Sequence, residues 1–356
     1  MNMSKQQVYI PKTDISLELN DREKAILRSV IHLYLLNAKP VGSRTLSKYL
    51  EKELKLSAAT IRNIMADLEE KDFIRHPHTS AGRIPTDKGY RVYVDSLMIP
   101  QKLSRKELEM VKESMESDNS ENILKDATKV IGIISKYLGL AEIPHLHNLT
   151  VQKIELVPLS SNRLLVVIAL ESNIVRTVTL ETEFDVQESS LQDISLYINE
   201  KISSKKLGFI KENFPDIIKD FEKSEAPLVR LFIDSLDRIF HLYQDTERIH
   251  IAGTQNLLYL PEFEDLDRVR SVIELVENED VIIHILDQKE QSNEELRIMI
   301  GKEMESELLE DYSFVSTKYF IGSARGSIGL IGPKRMNYAK VIPLVQYVSQ
   351  IISKNK

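Results

Sequence analysis

The run Ser57-Ala58-Ala59-Thr60-Ile61-Arg62-Asn63 sets small and hydrogen-bonding side chains at a spacing suited to reading base-pair edges. On a helix, Ile61, Ile64, Met65 and Leu68 share one stripe, and Ala59, Arg62, Asn63 and Ala66 fall on the opposite face. Asn63 can bond adenine through both amide atoms, and Arg62 can reach guanine or a phosphate. Ala59 and Thr60 are small enough to let the helix approach the groove floor. Asp67, Glu69 and Glu70 come after the first two turns, where the helix would already be leaving the duplex. Upstream, Ser43, Arg44 and Thr45 open a preceding helix, and Ser57 opens this one. Helix starts of this kind suit phosphate oxygens. Downstream, Arg75, His78 and Arg83 lie in a basic hairpin over residues 73–86, within reach of phosphate or a neighbouring minor groove. The plain alternative is a solvated helix used for protein contacts, which predicts no salt-dependent DNA binding.

Other chemistries have weaker signals. His76/His78 and His145/His147 are His-X-His pairs without the third and fourth ligands a metal site needs. The Gly322–Gly329 run lacks the Gly-Lys-Ser/Thr of a phosphate cradle and is followed by Gly332-Pro333, so it reads as a hairpin turn. No nucleophile–base signature or close carboxylate pair stands out. The chain contains no cysteine, which excludes disulfides and thiolate metal sites and suits a reducing compartment. The expectation is a non-enzyme with no cofactor and no metal.

The elements that must position these residues follow from caps and periodicity. Asn20 with Glu23 forms a capping-box variant ahead of a helix with Ile26, Val30, Leu33 and Tyr34 on one face. Asn37-Ala38-Lys39-Pro40 ends it. Ser43 caps a second helix, Ser57 a third, and Thr86 a fourth over 87–98. Gly82 is assigned the free φ of a tight hairpin tip. Beyond Ile99-Pro100, helices are expected over 103–115 and 122–138, and strands over 149–159, 164–169 and 174–180. A mainly helical stretch follows (191–201, 214–222, 228–243), broken by Pro215 and Pro227. Then come a helix over 268–277, strands over 281–286, 297–300, 314–321 and 327–331, and a closing helix over 338–352.

Charge separates along the chain. Residues 1–100 hold 16 Lys/Arg and 12 Asp/Glu, a net +4, and the remainder holds 31 and 42, a net −11. The whole-chain value of −7 therefore conceals a basic unit at the position of the candidate base-reading helix. At 356 residues the chain is expected to divide into several domains, and no 18-residue apolar run would cross a membrane. Residues 1–19 carry no apolar stretch typical of a secretory signal and read as a short arm, giving a cytoplasmic expectation.

Several segments resemble the HrcA family of bacterial heat-shock repressors. They are Val41-Gly42-Ser43-Arg44-Thr45-Leu46, residues 57–69, the run Ser80-Ala81-Gly82-Arg83-Ile84-Pro85-Thr86-Asp87-Lys88-Gly89-Tyr90-Arg91, and residues 249–258 and 329–338. The resemblance spans about residues 20–353. It implies an α+β multidomain protein: an N-terminal winged helix-turn-helix (20–99), a GAF-like α+β domain in two parts (100–185 and 256–356), and a mainly helical dimerising domain inserted between them (186–255). It implies a homodimer that binds a double-stranded DNA operator, the inverted repeat called CIRCE, before chaperonin and Hsp70-type chaperone operons. It also implies that the GroEL chaperonin maintains activity. The alternative left open is a ligand-sensing winged-helix regulator whose GAF-like domain binds a small-molecule effector.

Overall fold

Asn20 accepts from the backbone N–H of Arg22 and Glu23, each at 3.0 Å, and Glu23 returns a bond to the Asn20 N–H at 2.8 Å. This reciprocal cap starts α1 (Asp21–Asn37). The helix stops at Ala38, whose backbone turns left-handed. Helices α2 (Ser43–Tyr49) and α3 (Ala58–Glu70) follow, with Leu46, Leu50, Ile61, Met65 and Leu68 buried against Ile26, Leu27 and Val30 of α1. Strands β1 (Ile74–Arg75) and β2 (Ile84–Pro85) pair antiparallel, and α4 (Asp87–Val92) continues through a wider turn to Leu97. The computed structural model describes residues 18–52, 54–77, 82–115, 120–144, 149–171, 175–185, 187–219, 226–240, 248–263, 266–287 and 295–354.

A larger body follows. Helices α5 (Arg105–Ser114) and α6 (Ser120–Ser135) lead into β3 (Leu138–Glu142). The chain then makes an excursion through β4 (Val151–Ser160), β5 (Arg163–Leu170), β6 (Val175–Glu181), α7 (Glu188–Ile202), α8 (Leu207–Ile218), α9 (Ala226–Asp234) and α10 (Leu236–Phe240). It returns as β7 (Ile249–Ala252), followed by α11 (Thr254–Leu258), α12 (Leu266–Glu277), α13 (Glu279–Asp287), β8 (Leu296–Ile300), β9 (Tyr312–Ile321), β10 (Ala324–Pro333) and α14 (Tyr338–Lys354). The body sheet is antiparallel in the order β7-β3-β10-β9-β8. Helices α6 and α14 cover one face, and a second apolar cluster from α11, α12 and α13 covers the other.

The excursion has its own sheet, β4-β5-β6, with α7 packed on it through Ile194 and Ile198. Asn199 and Ser195 of α7 bond the backbone of Ile154, just past the first of two places where β4 slips register against β5.

Mixed α and β structure is as expected, and several local expectations change. Residues 281–286 are helical in α13, because an unbroken apolar run carries no period that separates a strand from a buried helix. The helix expected over 122–138 ends at Ser135, and Leu138 starts strand β3, which local pattern does not announce. The same holds for its neighbour β7. Pro215 lies inside α8, which runs from Leu207 to Ile218, rather than interrupting the helical stretch near the start of the segment expected over 214–222, and buried Ile210, Phe214 and Ile218 hold the helix across it. The sheets also part differently from the expected boundaries. Glu142 and Ile249 are paired neighbours, so the excursion lies between them and takes in the three strands expected in the body. The composition change near residue 186 marks a switch from strands to helices inside it.

Candidate nucleic-acid interface

Ser57 caps α3 by accepting from the Thr60 N–H at 3.1 Å, and its hydroxyl lies 2.9 Å from that of Thr60. The cap fixes the start of the helix, and no acid stands in its first turn. Ile61, Met65 and Leu68 are buried and Ile64 is half-buried, so Ala59, Thr60, Arg62, Asn63 and Ala66 face outward and are exposed. Among the described residues, Arg62 and Asn63 have no hydrogen-bond or ion-pair partner.

Arg44 and Thr45 lie exposed in the first turn of α2, and Arg75 is exposed on β1. The side chains of Arg44 and Arg75 also lack partners among the described residues. The cap of α2 is not Ser43, as expected, but Gly42, and Ser43 is the half-buried first residue of the helix. His78, His145 and His147 lie outside the described residues.

Arg83 behaves differently. Its guanidinium is 2.8 Å from Glu69 and 2.9 Å from His76 Nδ1, and the side chain is 17% exposed. Its backbone exchanges two bonds with Val41, at 2.8 and 2.9 Å. Arg83 therefore ties the hairpin to the end of α3 and to the turn before α2. Glu69 is occupied by this contact, which takes a negative charge off the outward face. Gly82 serves the same junction, but not through the positive φ assigned to it. A Cβ there would lie 2.5 Å from the Val41 carbonyl carbon, so close approach of two backbones demands glycine.

Elsewhere on this unit, Asp87 and Arg91 of α4 and the Leu35 carbonyl of α1 meet the body at Lys334, Glu303 and Arg335. Nothing local in the sequence signals these contacts. Asp87 and Arg91 close the run of residues 80–91, but their partners lie more than 200 positions away.

The family model described as "HrcA protein C terminal domain" matches residues 121–342. Two relatives carry the name "Heat-inducible transcription repressor HrcA". That of Chlorobium phaeobacteroides (strain BS1) is 35% identical over 347 residues, covering 94% of this chain and 98% of the relative. That of Ruminiclostridium cellulolyticum is 36% identical over 341 residues, covering 94% and 97%. A crystal structure of a hypothetical protein superposes with a TM-score of 0.67 at 27% identity, over 95% of this chain and 98% of that one. The outward polar face of α3 thus sits in a chain that matches these relatives over almost its whole length, and the chain belongs to the HrcA family of heat-inducible transcription repressors.

Proposed function

We propose that this protein is a homodimeric, cytoplasmic transcription repressor that binds a double-stranded inverted-repeat operator, with each N-terminal unit acting as a winged helix on one half-site. The observation that carries the reading is the outward face of α3. Arg62 and Asn63 are exposed and free of intrachain partners among the described residues, while the opposite stripe is buried. In this reading α3 enters the major groove, with Asn63 and Arg62 on base edges and Ala59 and Thr60 lining the approach. Ser43, Arg44, Thr45 and Ser57 serve phosphates at the two helix starts, and Arg75 and His78 serve them from the hairpin. Arg83 supports the hairpin from behind. Repression needs no chemistry, since occupancy of the operator blocks the polymerase.

The body is read as a GAF-like domain and the excursion as the dimerising part. The outer face of the three-stranded sheet supports the second assignment. Leu165, Val167 and Ala169 of β5 are only half-buried; exposed Val157 on β4 stands across from Leu165 and exposed Val175 on β6 across from Ala169, while the ion-paired Glu155 and Lys153 and the threonines Thr177 and Thr179 fill the other places in the row. A sheet face that leaves Leu165, Val157 and Val175 open in one chain, with an ion pair and two threonines beside them, suits cover by a second copy.

Family resemblance assigns the operator as CIRCE, the targets as chaperonin and Hsp70-type operons, and GroEL as the partner that keeps the repressor active. Footprinting on such promoters with purified protein, with and without GroEL, tests all three. The expected result is protection of both half-sites of the repeat, with a larger active fraction when GroEL is present. With roughly six to ten phosphate contacts per dimer, affinity should fall by about 10³–10⁵ between 50 and 200 mM salt. Binding that is absent or indifferent to salt refutes the DNA-binding reading, and an active fraction that ignores GroEL after heating refutes the chaperonin dependence.

A further inference from the structure

We propose that Arg91, with Arg335 reaching back from the body, is a positioning residue for operator binding. Together they lock the unit that carries α3 onto the five-stranded body, so that the two copies of α3 in a dimer meet their half-sites at one fixed separation. The inference rests on the DNA-binding reading above and adds what sets the geometry of that binding.

Arg91 has the chemistry of a lock rather than of a DNA contact. Its Nε donates to Glu303 Oε1 at 2.9 Å, and its Nη2 bonds both Glu303 Oε2 and the Ile298 carbonyl, the latter at 2.8 Å. Its Nη1 donates to Asp95 at 3.2 Å, and the side chain is 16% exposed. Paired surface charges ordinarily hold nothing rigid, because solvent competes for both partners. Here a forked, charge-assisted contact from a mostly covered arginine is joined to a backbone carbonyl, which adds geometric specificity although Glu303 itself is 37% exposed. Glu303 is itself held, since its Oε2 also accepts from the Ile300 N–H at 2.9 Å.

One turn earlier, Asp87 accepts from Lys334 Nζ at 2.8 Å and from the Lys302 N–H at 3.2 Å. A side chain at Gly301 would displace the Asp87 carboxylate from these bonds. The glycine's φ is +55°, and an added Cβ would lie 2.3 Å from an Asp87 oxygen. The second anchor is on α1. Arg335 donates from Nη1 to the Leu35 carbonyl at 2.9 Å while Glu262 holds its other edge. Leu35 lies in the last turn of α1, where carbonyls have no partner within the helix, so the body supplies the missing donor. The rings of Tyr90 and Tyr338 meet across the same junction, 6.2 Å between centroids. Two anchors on two different helices prevent the α3 unit from turning about the connection at residues 98–100. A dimeric DNA binder needs that restraint, because half-site spacing is read by the distance between its two reading helices.

The chain contains no cysteine, so Glu70→Cys on α3 and Gln350→Cys on α14, both exposed positions, can carry a spin-label pair. The full-length protein should give one narrow distance distribution within each chain, measured in dimers diluted with unlabelled protein. Arg91→Ala and, separately, Arg335→Ala should broaden it. On DNA, the same variants should bind a duplex with a single half-site within about threefold of the parent, yet lose about tenfold or more on the intact inverted repeat, since linked binding depends on fixed geometry. They should also discriminate less against a repeat whose spacer is changed by about five base pairs, half a helical turn. If Arg91→Ala does not fold, Arg91→Lys keeps the charge, removes the fork and should show the same pattern. A distribution that stays narrow in both alanine variants overturns the proposal, as does equal loss on the half-site and the full repeat. If the parent protein binds neither duplex, the DNA-binding reading fails instead, and the spin labels still decide whether the lock exists.

Discussion

Asn63→Ala separates stability from recognition, because the structure gives the two effects opposite signs. Asn63 is exposed in the interior of α3 and has no partner among the described residues, so truncating it breaks no intrachain bond. Alanine is the better helix former by up to about 0.7 kcal/mol, so the thermal midpoint should hold or rise slightly. On DNA, a bidentate bond to adenine is worth about 1–3 kcal/mol of discrimination per half-site. The proposed dimer would forgo it twice at well-separated positions, about 2–6 kcal/mol in all, or roughly 30-fold to 10⁴-fold in affinity for the proposed inverted repeat. Fluorescence anisotropy with the operator duplex and with one altered at the adenine proposed to pair with Asn63, at fixed salt, measures this directly. The variant should bind the two duplexes more nearly alike. Unchanged preference between them would show that α3 presents a different face to the groove. A thermal midpoint several degrees lower would show that Asn63 belongs to the fold.

The other expectations use the same structure. Arg75→Ala should weaken all duplexes alike and reduce the salt slope by about 0.9 for each phosphate the arginine no longer neutralises, measured by titration between about 50 and 200 mM salt. Arg83→Ala should instead lower the thermal midpoint and uncover Glu69 beside the duplex, so its affinity loss should shrink when Glu69→Gln is added; equal loss in both backgrounds would refute this. Gly82→Ala places a Cβ 2.5 Å from Val41 and should cost both stability and DNA affinity, and a variant with parental melting and binding would refute the close approach. Glu107 is held down to about 2 by its hydrogen bond from Lys340, helped by the Ser104 backbone and hydroxyl and opposed by burial. A carboxylate lowered on folding stabilises above its unfolded value and loses that contribution as pH falls from about 4.5 to about 2. Thermal melting across that range should therefore be steeper for the parent than for Glu107→Gln.

The sequence by itself determined the features that depend on neighbours three or four positions apart. The Asn20–Glu23 cap, the Ser57 cap and the buried stripe Ile61, Met65 and Leu68 are all present, and with that stripe the outward direction of Arg62 and Asn63 was already set. Strand patterns also located β5, which alternates because one of its faces meets a core, and parts of β9 and β10, which are buried at nearly every residue because both faces of the body sheet are covered. Tertiary structure decided what depends on distant partners. The run at residues 281–286 is apolar throughout, so only the surroundings made it helical. Strand β7 gains its ladder from β3 across the whole excursion, and β3 lies between β7 and the equally distant β10, so neither segment alone signals a strand. The roles of the arginines were equally hidden. Arg62, Arg75, Arg83 and Arg91 look alike as residues of a basic segment. The first two face solvent, Arg83 is taken up by Glu69, and Arg91 is taken up by Glu303, 212 positions away. A guanidinium is free for a phosphate only if no carboxylate of its own chain reaches it first, and that is decided when the units dock.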